Sequence, residues 1–324
     1  MVGRVRSSQV TMHDVARVAG VSVGTVSNVL RGSAPVAEAT RERVLAAVDE
    51  LGYRRNEVAR ALKENTTRTL GVVVPGSVNP FYATLTVQVE RTARKRGFGV
   101  LVADTDGDRD VEADQVRALA ERRVDGVIFA AVTEGSTIPV EMLDREIPVV
   151  LVSFAAGNDP RLGVVDVDEF AAMEAVAAHL VELGHERIAF AHSGEREEAV
   201  DRRPLALRTA LERRGLALAA LDDSPSAICC TNDAVAIALI DRLIRAGERV
   251  PETVSVVGFD DIPLAAHAAL DLTTVHQDAE EMGRTAAEML LSAVMEGRHA
   301  ARRVVLPAPL VVRGSTGPAA QRAA

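Results

Sequence analysis

Residues 10–62 read VTMHDVARVAGVSVGTVSNVLRGSAPVAEATRERVLAAVDELGYRRNEVARAL. Thr11-x-x-Asp14 is a capping-box pattern, opening a helix with Val15, Val18 and Ala19 on its apolar face. Gly20-Val21-Ser22 breaks that helix. Ser22 caps a second helix over 23–30, which buries Val26, Val29 and Leu30. A third helix over 38–50 sets Val44, Val48 and Leu51 at i, i+4 and i+7, with Gly52 as its stop. Two short helices across a tight glycine-containing turn make a helix-turn-helix. In that motif the second helix enters the DNA major groove. The plainer alternative is three amphipathic helices of an ordinary small bundle.

The chain around this stretch has 324 residues, which fits two or three domains better than one. Its 48% hydrophobic content can fill sizeable cores, although aromatic residues make up only 3% and Trp is absent. No apolar run approaches about 18 residues, so no membrane span is expected. The first residues lack an apolar signal core, and the expected location is the cytoplasm. Adjacent Cys229 and Cys230 follow Ala227-Ile228 and read as inert thiols of a buried strand. The net charge of −9 is unevenly spread: residues 1–66 hold ten basic and seven acidic side chains, a net +3, and the rest carry −12. A mildly basic head on an acidic body suits DNA contact confined to the head.

Other chemistries find little support. Gly20-Val21-Ser22-Val23-Gly24 fits Gly-x-Ser-x-Gly, but an esterase elbow needs a strand before the serine, and here a helix precedes it. No P-loop, His-Glu-x-x-His or Cys-x-x-Cys occurs, and no cofactor or metal is expected. Asn65-x-Thr67 matches a glycosylation sequon, which is discounted for a chain without a signal peptide.

From Leu70 the texture changes. Residues 71–75, 100–103, 126–130 and 149–152 are short apolar runs, with helical patterns over 81–96 and 110–122. Runs at 187–190, 227–230 and 254–258 form a second series, with helices near 169–183, 202–214 and 234–246. Such alternation reads as doubly wound parallel sheets, an α/β fold. Ligands bind such sheets at the carboxyl ends of the strands. Asn79, Asn232-Asp233 and Asp260-Asp261 fall there. Each has a structural reading as well, Asn232 as a helix cap and Asp233 as a first-turn charge.

Asp14-Val15-Ala16, Ala19-Gly20-Val21-Ser22, Thr25-Val26-Ser27, Val29-Leu30, Thr40-Arg41-Glu42-Arg43-Val44 and Glu50-Leu51-Gly52-Tyr53 closely resemble the DNA-binding headpiece of the lactose-repressor/galactose-repressor (LacI/GalR) family. The resemblance runs on through 56–62 and, with one gap, over almost the whole chain. It implies a homodimeric bacterial transcription regulator, a repressor and not an enzyme, that binds a double-stranded, (pseudo)palindromic operator. A small polar effector, a sugar or nucleoside-like ligand, would lie between two lobes like those of periplasmic binding proteins. The implied division is an arm at 1–9, headpiece 10–55, hinge helix and linker 56–69, first lobe 70–165 with 278–300, second lobe 166–277 with 301–317, and a disordered tail at 318–324.

The resemblance also implies roles. Thr11, Ser22, Val23, Gly24, Thr25, Ser27, Asn28, Arg31 and Tyr53 would meet DNA from the headpiece. Asn56, Ala59, Arg60, Leu62 and Lys63 would meet it from the hinge, with Leu62 prying open a base step in the minor groove. Asn79 and Phe81 of Asn79-Pro80-Phe81, with Asp168, Arg203, Asn232 and Asp260, would hold the effector.

Three departures from the family pattern stand out. Val23-Gly24 occupies two base-reading positions and leaves Asn28 as the best direct reader, suited to adenine. Ala37 replaces a capping Ser. Only residues 217–226 stand where the family has a strand and a helix, about 25 residues fewer, a length that matches those two elements and their loops. The shortened second lobe is expected to lose its edge strand, which would force the preceding helix to join strand 1 directly to strand 3. Weak or lost effector response, or control by a protein partner, is the alternative that follows.

Overall fold

The computed structural model describes residues 10–31, 34–53, 66–131, 136–152, 159–192 and 202–320, with Arg31 as backbone only. The chain divides after residue 65 into two units. The first holds α1 (Met12–Ala19), α2 (Val23–Arg31) and α3 (Glu38–Leu51). Val15, Ala16, Ala19, Val26, Val29, Val44 and Ala47 form its core. Ala16 takes the place expected of Val18, which is 42% exposed. A stripe through positions 15, 16 and 19 leaves position 18 on its shoulder at 3.6 residues per turn. Gly20 ends α1 in the left-handed region, φ 66°, where a glycine carries no Cβ penalty. The hinge positions Asn56, Ala59, Arg60, Leu62 and Lys63 and the arm 1–9 lie outside the described residues.

The second unit contains two sheets. In chain order its first part runs β1 (Thr69–Val74), α4 (Pro80–Lys95), β2 (Gly99–Asp104), α5 (Arg109–Glu121), β3 (Gly126–Phe129), α6 (Ile138–Asp144), β4 (Val149–Val152) and β5 (Gly163–Val167). The second part runs α7 (Glu169–Glu182), β6 (Ile188–Ala191), α8 (Arg203–Glu212), β7 (Leu218–Ala219), β8 (Ala227–Cys230), α9 (Asp233–Arg245), β9 (Ser255–Asp260) and β10 (Thr273–His276). α10 (Ala279–Glu296), β11 (Arg303–Leu306) and β12 (Leu310–Val311) complete the chain. The sheet orders are β2-β1-β3-β4-β5-β11 and β7-β6-β8-β9-β10-β12. All pairings are parallel except β10 with β12. Strands β1, β3, β4 and β5 are buried almost throughout, as sheets covered on both faces must be.

The chain crosses between sheets after β5, between β10 and α10, and between β11 and β12. Because β11 pairs with β5, the last crossing falls after Leu306 and not before residue 301 as expected, and the first after Val167 and not after 165. The expected disorder of the tail is also corrected at its start. The Ala319 amide donates to Leu183 O at 2.8 Å, and His185, 2% exposed, bonds Gly317 O at 3.0 Å.

The shortened segment keeps its edge strand, against expectation. Leu218 and Ala219 pair with Ile188 and Ala189, so α8 leads from β6 to its outer neighbour in the ordinary way. The crossover helix between β7 and β8 is what the chain lacks. Two strand residues rise only about 7 Å, so residues 220–226 suffice to return past the amino end of β6. They are held there by Ser226 N to Arg187 O at 2.9 Å and Arg187 Nε to Ser224 O at 3.2 Å. Cys229 and Cys230 are buried free thiols, and burial pushes both up, Cys229 to about 12, which disfavours the reactive thiolate.

Candidate nucleic-acid interface and ligand cleft

The headpiece is built by its helix ends. Thr11 and Asp14 form a reciprocal capping box, with Thr11 N donating to Asp14 Oδ2 at 3.0 Å. Thr11 and the Arg17 guanidinium hold the Asp14 carboxyl down to about 2. Ser22 Oγ accepts the Thr25 amide at 3.0 Å and lies 2.9 Å from Thr25 Oγ1, capping α2. With Val26 and Val29 turned into the core, Gly24, Ser27 and Asn28 take the opposite face of α2. Gly24 is exposed, while Ser27 and Asn28 are half-buried. Val23 sits on the flank and packs against the headpiece core, so part of its surface is spent on the fold. Arg31 ends α2. Tyr53 also packs on that core, its amide donating to Val48 O at 2.9 Å. Ala37 precedes α3 without a side-chain cap.

The cleft residues come from strand ends of both sheets. Asn79 caps α4 through Oδ1, which accepts the Phe81 amide at 3.0 Å. Its Nδ2 reaches across to the other lobe and donates to Asp260 Oδ2 at 3.2 Å. Asp260, 6% exposed, accepts a second bond from Gln277 Nε2 at 2.7 Å. Arg203 Nη2 donates to Thr231 Oγ1 at 3.1 Å, and its guanidinium lies 4.7 Å over the Phe259 ring. Arg203 thereby joins the carboxyl ends of β8 and β9. Asn232 caps α9, accepting the Val235 amide at 2.9 Å.

Phe81 and Asp168, also expected at the ligand, are held by contacts of their own. Phe81 is buried in the core, edge-on to Tyr82 with ring centroids 5.2 Å apart. Asp168 is exposed and caps α7 by accepting the Ala171 amide at 2.9 Å. Beside it, buried Asp166 accepts from Arg303 at 2.9 Å and from Arg202 at 3.4 Å, and Arg202 Nε reaches Glu169 at 3.2 Å. This cluster ties the crossing strands to the start of α8. Gln277 was missed by sequence reasoning. It directly follows β10, and the strand-end rule that found Asn232 and Asp260 would have found it.

The turn after β9 is strained. Asp260 has φ 113° and Asp261 φ 57°. Such conformations cost of order 1–3 kcal/mol each and gather at ligand clamps. Asp261 is braced by Arg313 at 2.6 Å and His276 at 2.9 Å. Burial pushes the Asp233 carboxyl up to about 7; the Thr274 hydroxyl opposes that push and the neighbouring Asp260 charge adds to it.

Residues 11–56 match the family described as bacterial regulatory proteins, lacI family. Residues 67–223 match periplasmic binding proteins and sugar binding domain of LacI family, and residues 177–316 the periplasmic binding protein-like domain. The HTH-type transcriptional repressor PurR of Photobacterium profundum is 35% identical over 94% of this chain and 98% of its own. PurR of Vibrio vulnificus is 34% identical over 94% and 97%. Among solved structures, the lac repressor dimer bound to operator and the anti-inducer ONPF superposes with TM-score 0.83 at 26% identity, covering 96% of this chain and 100% of that one. The complex of the transcriptional regulator CelR with cellobiose does so at 0.68 and 30% identity, covering 94% and 99%.

Proposed function

Because the chain belongs to the lacI family of bacterial regulatory proteins, we propose that it is a transcriptional repressor that binds a (pseudo)palindromic operator as a homodimer under control of a small polar effector. It is a binding protein and not an enzyme. It acts on DNA in the cytoplasm, and among the described residues no helix is long and apolar enough to cross a membrane. Recognition falls to the outer face of α2, where Asn28 is the base reader and Thr11, Ser22, Thr25, Ser27, Arg31 and Tyr53 position the helix on phosphates. The hinge positions Asn56, Ala59, Arg60, Leu62 and Lys63 add the minor-groove contacts. The effector is held by Asn79, Asp260, Gln277, Arg203 and Asn232.

One observation carries the effector reading: polar side chains from strand ends of both lobes converge on Asp260, which bonds Asn79 across the cleft. A ligand that exchanges hydrogen bonds with this set binds the lobes' relative positions differently, which is what control requires. The alternative, a lost effector response, draws on β7, which pairs with only the first two residues of β6 and stops short of its cleft end. The Asp260 set remains in place despite that loss. Leu101 and Val102, exposed on edge strand β2, suit an apolar contact with a second copy.

Selection from random DNA tests the reading. It should return an inverted repeat, and Asn28→Ala should relax one base pair in each half, at about 1–3 kcal/mol. Asymmetric single sites would overturn the dimeric reading, and an unchanged motif would remove Asn28 as reader.

A further inference from the structure

The turn that carries Asp260 is held from within the second lobe by a fully buried carboxylate. Asp233, the first residue of α9, accepts the Ile262 amide on Oδ2 at 2.8 Å and the Thr274 hydroxyl on Oδ1 at 2.5 Å. Gly258 in β9 makes the room, since a Cβ there would lie 2.1 Å from Asp233 Oδ1. Helix α9, the turn after β9 and strand β10 therefore meet at one carboxyl group. The turn depends on such holding. Asp260 and Asp261 both have positive φ, and L residues keep that backbone only where their surroundings over-determine it. The Asp260 carboxylate is engaged by Asn79 and Gln277, so it does not itself anchor the backbone to α9. The Ile262 amide, two residues on, does.

We propose that Asp233 is a positioning residue of the effector site, fixing through the Ile262 amide the direction in which Asp260 presents its carboxylate to the cleft. The inference rests on the cleft reading given above. Hydrogen bonding, and not charge, is the working property. Ionised, the group accepts both bonds. Protonated, it accepts from Ile262 and donates to Thr274 Oγ1. Asparagine reproduces the second pattern, with Oδ1 toward Ile262 and Nδ2 toward Thr274, while alanine leaves a buried amide without its acceptor.

The test is calorimetry of the full chain with D-ribose, cellobiose and adenosine, beside operator binding by fluorescence anisotropy. Asp233→Ala should weaken the ligand bound by the unmodified chain at least ~30-fold, and Asp233→Asn should stay within ~3-fold of it. Gly258→Ala, which keeps the carboxyl group but displaces it, should fall with Asp233→Ala. Operator affinity should hold within ~3-fold for all three, because α9 and β9 belong to the other unit. Ligand affinity unchanged in Asp233→Ala, or as weak in Asp233→Asn as in alanine, would overturn the proposal. If Asp233→Ala fails to fold, Thr274→Val, which removes the hydroxyl that aims the Asp233 carboxyl at the Ile262 amide, should weaken the ligand ~3–10-fold, and no change would overturn it. If the unmodified chain binds none of the three, the cleft reading fails first and this proposal falls with it.

Discussion

Asp233 shows how much one buried side chain decides. Its carboxyl titrates near 7 because burial disfavours the charged form. Between roughly pH 4 and 7 the folded chain holds a proton that the unfolded chain has released, so stability falls as pH rises through that window. Urea unfolding at pH 5 and pH 8 should therefore show Asp233→Asn gaining relative to the parent at pH 8. A difference that is constant across pH would show that the group stays in one protonation state. The sequence offered Asp233 as a strand-end ligand candidate and as a first-turn charge; it does open α9, but its burial and its closeness to Gly258 come from strands distant in sequence. Asn79, Asn232 and Asp260 were legible because each ends or follows an apolar run, which is a local signal, whereas Arg203 came from the family resemblance alone. Phe81 shows the converse: a motif fixes its position in the chain, but only the fold shows its ring packed into the core.

Among the elements, α3 has the plainest weakness. Ala37 precedes it with no side-chain acceptor for the first-turn amides. Ala37→Ser should stabilise the headpiece by ~1 kcal/mol, read as a higher midpoint in its unfolding transition. No gain would mean that the first-turn amides of α3 are already satisfied. The headpiece helices were legible because capping residues, glycine stops and apolar periodicity all act within a few residues. The route of the chain through 217–226 was not. Length alone showed that a strand and a helix could not both be present in full, but a two-residue β7 is below any periodic signal. Its place was settled by pairing with β6, a non-local contact.

At the scale of the molecule, the chain carries a basic reading head and an acidic body whose two lobes share the Asn79–Asp260 bond and the Asp166–Arg202 ion pair. Ligand control requires that cleft binding and operator binding share a coupling free energy, typically a five- to roughly 150-fold change in affinity. The direct measurement is anisotropy of the selected operator titrated with the full chain, repeated with saturating D-ribose, cellobiose or adenosine, on the parent and on Asp260→Ala. At least one ligand should shift parent operator affinity ~10-fold or more, and Asp260→Ala should bind operator normally but no longer respond. Operator affinity indifferent to all three ligands, or a response that survives Asp260→Ala intact, would contradict it.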